Sequence, residues 1–229
     1  MSFETRFLYY VQMLDSALPI GGFSHSFGLE TYVQNGKVST MEDLEDYVLS
    51  QIHNSWVRLE GLAIKGMYTA IANDDMWSLG LYDKIIHVQR TPLESRQGLH
   101  KMGKRLLRLA KSLYPFISFS ELESSIKEYG IGTLPTIHAW IAYHLELPVD
   151  DAVKGYLYSS VVMVTNSALR LMSIGQTDGQ MIIRRAIPVI EEEWKKIRDL
   201  PVEQLHSFSV AQEIRSMNHE ILYSRLFMS

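Results

Sequence analysis

The sequence contains no cysteine among its 229 residues, which excludes disulfides, thiolate metal sites and cysteine nucleophiles. No uncharged apolar stretch approaches the roughly 20 residues that a membrane-spanning helix needs. No segment alternates apolar and polar residues between hairpin turns, so strands have little support. The first residues also lack the apolar run of a signal peptide. We therefore expect an all-α protein of the cytoplasm, with no membrane partner.

Charge and composition point to an ordinary globular domain. The net charge is −4, from 22 basic and 26 acidic residues, which argues against nucleic acid as a partner because phosphate neutralisation needs a basic surface. Hydrophobic residues make up 46% of the chain and charged residues 21%. With no repeat or linker visible, we predict one domain over residues 1–229, a bundle of about ten helices.

Three local signals mark where helices begin or change direction. Thr40 followed by Asp43 resembles a capping box. In the run from Thr91 to Glu94, threonine is expected to cap a helix, proline to fill its first position, and Glu94 to bond back to the cap amide. Pro188 is expected to kink or interrupt a helix near the end of the chain, because it lacks the amide donor.

Residues 14–30, here called the corner, form the least generic stretch. The helical pattern of the N-terminal segment stops at Pro19, passes through the Gly21-Gly22 pair, and is predicted to restart as a helix over residues 24–34. The corner therefore carries several polar groups between two helices. It could do chemistry, bind a partner, or only turn the chain.

A serine hydrolase using Ser24 and His25 is the alternative function. Residues 22–26 resemble the Gly-x-Ser-x-Gly nucleophile elbow, but that elbow needs a strand before it and a helix after it. The histidines lack the spacing of a metal site, and no phosphate loop is present. We therefore predict no catalytic residue, no cofactor and no stable metal site, and we interpret the serines of the corner as helix caps.

Two further segments are interpreted from their composition. The basic run from Arg90 to Lys111 is read as the solvated face of an amphipathic helix. Residues 210–229, here called the tail, end in an apolar run, whereas chain ends are commonly polar and frayed. The tail is expected either to pack into its own domain or to order on a partner.

Four blocks of the sequence resemble the UreF family of urease accessory proteins. They lie in the family's order along nearly the whole chain, at residues 15–30, 91–107, 169–180 and 219–229. The resemblance implies a non-enzymatic, all-helical homodimer. It also implies a scaffold that joins UreD (also called UreH) to the GTPase UreG, regulates that GTPase, and helps to deliver nickel to apo-urease.

The resemblance also places the contact residues. The corner and tail are expected to face UreD, with Arg225 bonding Tyr32 to lock the tail. The residues expected on this side are His25, Tyr32, Arg225, Leu226, Phe227 and Met228. Arg170 and Gln180, around the Gly175 turn, are assigned to UreG, although ordinary helix-end solvation explains them equally well. Lys154 and Tyr158, four residues apart on one helix face, are assigned to the dimer interface.

Overall fold

The computed structural model describes residues 1–229 and contains eleven α-helices and no strand. The first six are α1 (Phe3–Met13), α2 (Leu29–Gln34), α3 (Met41–Gln51), α4 (Leu62–Ala72), α5 (Met76–Gln89) and α6 (Leu93–Leu113). The others are α7 (Ser120–Glu128), α8 (Leu134–His144), α9 (Val149–Leu171), α10 (Gln176–Ile197) and α11 (Val210–Asn218). The predicted all-α architecture is confirmed. None of these helices is both long and apolar enough to span a bilayer.

Helix α9 occupies the centre of the bundle. It packs against α2, α4, α8 and α10, and also against a ten-residue π-helical segment, Ile52–Gly61, which joins α3 to α4. Its buried apolar residues belong to a single core of 48 buried residues. Because one continuous core runs through all of these elements, the corner and the tail are laid on a rigid support.

Helix α1 is held against α8 and α9 by one buried hydroxyl. Tyr10 Oη donates to the backbone oxygens of Asp151 and Ala152, each at 3.1 Å, and lies 3.3 Å from His138 Nε2. A Cβ at Gly155 would collide with this hydroxyl, so the glycine allows the close approach. Burial lowers the pKa of His138 to about 4, which keeps the ring neutral.

The local helix signals had mixed outcomes. The capping box is confirmed, because Asp43 N donates to Thr40 Oγ1 at 3.1 Å and Thr40 N donates to Asp43 Oδ2 at 2.9 Å. The helix cap predicted at Thr91 is wrong, because α6 begins after Pro92. The Thr91 hydroxyl instead donates to the Glu213 carboxylate of α11. Pro188 does not interrupt its helix, since α10 continues through it; of the two predicted outcomes, only a kink within α10 stays a prediction.

Asp83 is a fully buried carboxylate that fixes the start of α8. Oδ2 accepts the amides of Ile131 and Gly132, each at 2.6 Å, while Oδ1 accepts the amide of Thr133 at 3.0 Å. The hydroxyls of Thr133 and Thr136 complete the set, each 2.6 Å from Oδ1. The buried amides before α8 are therefore satisfied by a side chain from α5.

We expect Asp83→Asn to lower the free energy of unfolding by about 2–4 kcal/mol, because the amide nitrogen replaces an acceptor with a donor among buried donors. Denaturant unfolding measures the change. Asp75→Asn is the control, since Asp75 caps α5 at the surface and asparagine caps equally well, within about 0.5 kcal/mol. Equal losses in the two variants would contradict this assignment.

Candidate functional site

The corner turns the chain with two left-handed glycines. Gly21 has φ +86° and Gly28 has φ +90°, conformations that other residues rarely adopt. Gly28 also has no room for a Cβ, because the Ser216 hydroxyl of α11 lies against it. A short 3-10 turn, Gly22–Ser24, lies between the two glycines. The predicted helix over residues 24–34 was wrong at its start, since α2 begins only at Leu29.

Backbone groups of the corner that would have bonded within this helix instead form hydrogen bonds with the end of the tail. Met228 N donates to the Ser24 oxygen at 2.8 Å. The amides of Ser26 and Phe27 donate to the backbone oxygen of Ser229 at 2.7 and 3.0 Å, and the Ser26 hydroxyl donates to the same oxygen at 2.7 Å. The tail therefore pairs with the corner along an extended stretch, and this pairing delays the start of α2.

Glu30, in the first turn of α2, receives the tail with both of its carboxylate oxygens. Leu226 N donates to Oε1 at 2.7 Å, and Phe227 N donates to Oε2 at 3.0 Å. Glu30 is only 1% exposed. A buried carboxylate is tolerated only when it is hydrogen-bonded, and here backbone amides of the tail supply the bonds. At Leu226 and Phe227 the tail is thus held through its main chain.

His219 links that carboxylate to a second one. Its Nε2 lies 3.0 Å from Glu30 Oε2 and its Nδ1 lies 2.6 Å from Glu94 Oε2, with the imidazole fully buried between them. Arg225 closes the network by donating to Glu94 Oε1 at 2.8 Å. Each ring nitrogen therefore lies within hydrogen-bonding distance of a different carboxylate. Helices α2 and α6 and the tail share one ionic cluster.

This network changes the expected partner of Arg225. The guanidinium binds Glu94, whereas the predicted Arg225–Tyr32 hydrogen bond is not formed. Instead, the guanidinium of Arg215 in α11 lies 5.9 Å from the centre of the Tyr32 ring. Glu94 is also the residue that was expected to cap α6. Glu94 therefore bonds the distant tail and forms no local cap.

Arg170, at the end of α9, belongs to the same assembly. Its guanidinium lies 4.5 Å from the centre of the Phe227 ring, a cation–π distance, and it also donates to the backbone oxygen of Phe23. Phe227 is only 4% exposed beneath it. Arg170, which was assigned to the UreG side, thus contacts both the corner and the tail.

His25 is a structural residue of the corner. Its Nδ1 lies 2.8 Å from Ser229 Oγ, its ring stacks on Phe27, and its backbone oxygen accepts the Ser167 hydroxyl. Burial lowers its pKa to about 4, with a further contribution from the positive charges of nearby Lys101 and Arg105. No Ser24–His25 hydrogen bond forms and no strand precedes the corner, so the hydrolase alternative has no support.

Several apolar side chains of the corner and tail remain exposed outside this network, and three of them belong to the stretches where corner and tail bond to each other or to Arg170. Phe23 is 70% exposed, Leu226 53% and Met228 55%, although the chain around each of them is anchored. We call this patch the corner–tail surface. Exposed apolar groups that lie together typically mark an interaction site.

The remaining assigned residues lie elsewhere. Gln180 and Tyr158 line a groove of about 660 Å³ together with Leu8 and Val11 of α1, both of which are exposed. Lys154, one helical turn before Tyr158, pairs with Asp151 at 3.4 Å. Gln180 therefore shares a groove with the predicted dimer residue Tyr158, while Arg170 points to the corner.

The structure contains no group of three histidine, aspartate or glutamate side chains arranged to hold a metal ion. Glu30, His219 and Glu94 come closest in composition, but the two carboxylates lie on opposite ring nitrogens and do not converge on one point. This cluster was missed in the sequence. Its members, two acidic residues and a histidine, stand in separate segments that no local spacing rule connects.

Fold and site together define an all-helical protein whose most elaborate site is an anchored chain segment with an exposed apolar edge. Comparison with known proteins shows the family. The profile of the UreF family matches residues 38–187, and this chain belongs to that family of urease accessory proteins.

The relatives extend the similarity to nearly the full chain. The urease accessory protein UreF of Bacillus sp. (strain TB-90) is 37% identical over 227 residues, covering 98% of this chain and 99% of the relative. That of Lachnoclostridium phytofermentans is 34% identical over 220 residues, covering 96% of each chain. A third, from Actinobacillus pleuropneumoniae serotype 3, is 32% identical over 220 residues, with 96% and 97% covered.

We expect Glu30→Gln to release the end of the tail, because one carboxylate oxygen becomes an amide that meets backbone amide donors. Hydrogen exchange at residues 224–229 should accelerate by about 10- to 100-fold, which corresponds to a loss of about 1.5–3 kcal/mol for charged hydrogen bonds. Glu220→Gln, an exposed change in the same segment, should leave exchange unaltered. Full protection in the Glu30 variant would refute this anchoring role.

Acid should destabilise the fold through His25. Its pKa falls from 6.5 to about 4 on folding, so the unfolded chain takes up the proton first as pH decreases. The free energy of unfolding should therefore decline between pH 6.5 and about 4 and level off below that range. His25→Gln should reduce this slope in denaturant titrations without abolishing it, because buried His138, whose pKa is likewise lowered to about 4, contributes a similar part. His206→Gln, at an exposed position, should leave the slope unchanged. An unchanged slope in the His25 variant would contradict the burial argument.

Proposed function

We propose that this chain is a non-catalytic scaffold that bridges UreD (UreH) and the GTPase UreG in the complex that inserts nickel into apo-urease. In this role it also regulates the GTPase activity of UreG, and it works in the cytoplasm. Three lines of support are family membership, the order of the matching blocks along the chain, and a prominent site that is shaped for contact. The corner–tail surface carries the proposal.

UreD is proposed to bind the corner–tail surface. Leu226 and Met228 present apolar area, while Arg225, Phe227 and His25 hold the backbone in the presented shape. Tyr32 lies beneath the tail beside Arg215. In this proposal the tail exchanges between docked and free states, and UreD shifts the exchange toward the docked state because it binds that state alone.

UreG and a second copy of the chain are proposed to bind away from this surface. Gln180 marks the UreG side, and Arg170 connects that side to the corner by holding Phe227. Lys154 and Tyr158 mark the homodimer interface, which in this proposal adjoins the UreG side because Tyr158 and Gln180 line the same groove. Nickel is the cargo of the assembled complex, and apo-urease is its destination.

The test is co-purification with UreD and UreG, followed by urease activation with and without this chain. Leu226→Ser combined with Met228→Ser should weaken UreD binding by at least about tenfold, because apolar contact area is lost from the centre of an interface. The fold should persist, since both side chains are already exposed.

The matched control is Trp77→Ser combined with Val88→Ser, which removes two exposed apolar side chains of α5, 57% and 66% exposed. This pair should bind UreD like the wild type. Equal UreD binding by the two double variants would show that the corner–tail surface is not part of the UreD interface. A wild type that activates no urease would reject the scaffold function itself.

A further inference from the structure

Helix α6 carries a stripe of exposed positive charge. Lys101, Lys104, Arg105 and Arg108 are spaced at i, i+3, i+4 and i+7, which places all four on one helix face. The opposite face buries Met102 and Leu106 in the core. We call these four residues the α6 stripe.

The four cations of the α6 stripe have no partner in the structure, since none forms an ion pair or a hydrogen bond with another side chain. The next cation on the helix, Lys111, does pair, at 2.5 Å from Glu123. Like charges three or four residues apart repel one another and weaken a helix. The α6 stripe therefore concentrates positive charge on a chain whose net charge is −4, although its four charges repel one another.

The stripe borders the corner. Arg105 lies directly over Gly21, where a Cβ would strike its guanidinium. Lys101 and Arg105 both lie close enough to His25 to depress its pKa. Positive charge and the exposed apolar side chains of the corner–tail surface therefore lie side by side.

We propose that the α6 stripe is the electrostatic part of the docking surface, and that the protein partner binding the corner–tail surface presents an acidic face to it. This inference rests on the proposed function. An apolar patch beside cations matches an interface with an apolar centre and a charged rim. Nucleic acid is disfavoured as the partner because the exposed apolar side chains Phe23, Leu226 and Met228 do not neutralise phosphate, and because the chain as a whole carries a net negative charge.

Such a stripe acts mainly on the rate of association. Exposed charges at the edge of an interface steer the encounter, and salt screens them with a Debye length of about 10 Å at 0.1 M. Binding should therefore be faster at low salt, and this gain should depend on the stripe.

The test measures UreD binding kinetics at about 50 and about 300 mM NaCl, with purified full-length chains. The stripe variant carries three changes, Lys101→Gln, Lys104→Gln and Arg108→Gln. Arg105 is kept because it packs on the corner. The association rate at low salt should fall about tenfold, its salt dependence should largely vanish, and the dissociation rate should change less than about threefold.

The matched control is Lys84→Gln, Lys127→Gln, Arg184→Gln, which removes the same charge from exposed positions on α5, α7 and α10. It should retain the salt dependence of the wild type. Salt dependence that is equal in the two triple variants would overturn the inference while leaving the proposed function intact.

Other results would also overturn it. The stripe variant could lose self-association in sedimentation, or retention on anionic vesicles, while binding UreD normally; the stripe would then serve a second copy or a membrane. A wild type that does not bind UreD at any salt concentration would reject both this inference and the proposed UreD contact.

Discussion

The site depends on one buried carboxylate. Glu30 lies in the first turn of α2 with almost no exposure, where an ion without hydrogen-bond partners would be strongly destabilising. Two backbone amides of the tail and the imidazole of His219 supply those partners. Through His219 the same cluster reaches Glu94 in α6 and then Arg225. Removing the tail would leave both carboxylates poorly satisfied, so the corner, α6 and the tail keep their arrangement together.

Asp83 repeats this arrangement at a second place in the fold. There, too, a buried carboxylate accepts several backbone amides that no helix satisfies, and it fixes a loop against a helix end. The two sites differ in what they hold. Asp83 holds a loop between α7 and α8 inside the core, whereas Glu30 holds a segment whose outer edge stays exposed. The same chemistry therefore serves stability in one place and presentation of a surface in the other.

The structural features that depend on local periodicity were predicted from the sequence, whereas those that depend on contacts with distant segments were missed. Helical spacing and the lack of strand signals gave the all-α fold, and the Thr40–Asp43 box depends on neighbours alone. The helix predicted from residue 24 failed because Ser24, Ser26 and Phe27 pair with a segment about 200 residues away. Glu94 failed as a cap for the same reason. No spacing rule connects either position to the tail, and the family resemblance indicated where contacts lie without indicating their bonds.

Main-chain attachment of the tail has an evolutionary consequence. The Glu30 carboxylate accepts the amides of Leu226 and Phe227, and the backbone oxygen of Ser24 accepts the amide of Met228. The side chains of Leu226 and Met228 therefore take no part in holding the segment. Leu226 and Met228 can therefore be exchanged for other residues without loosening the attachment. Recognition and anchorage are separate traits in this segment, and the outward-facing positions can follow changes in a binding partner while the buried carboxylate stays the same.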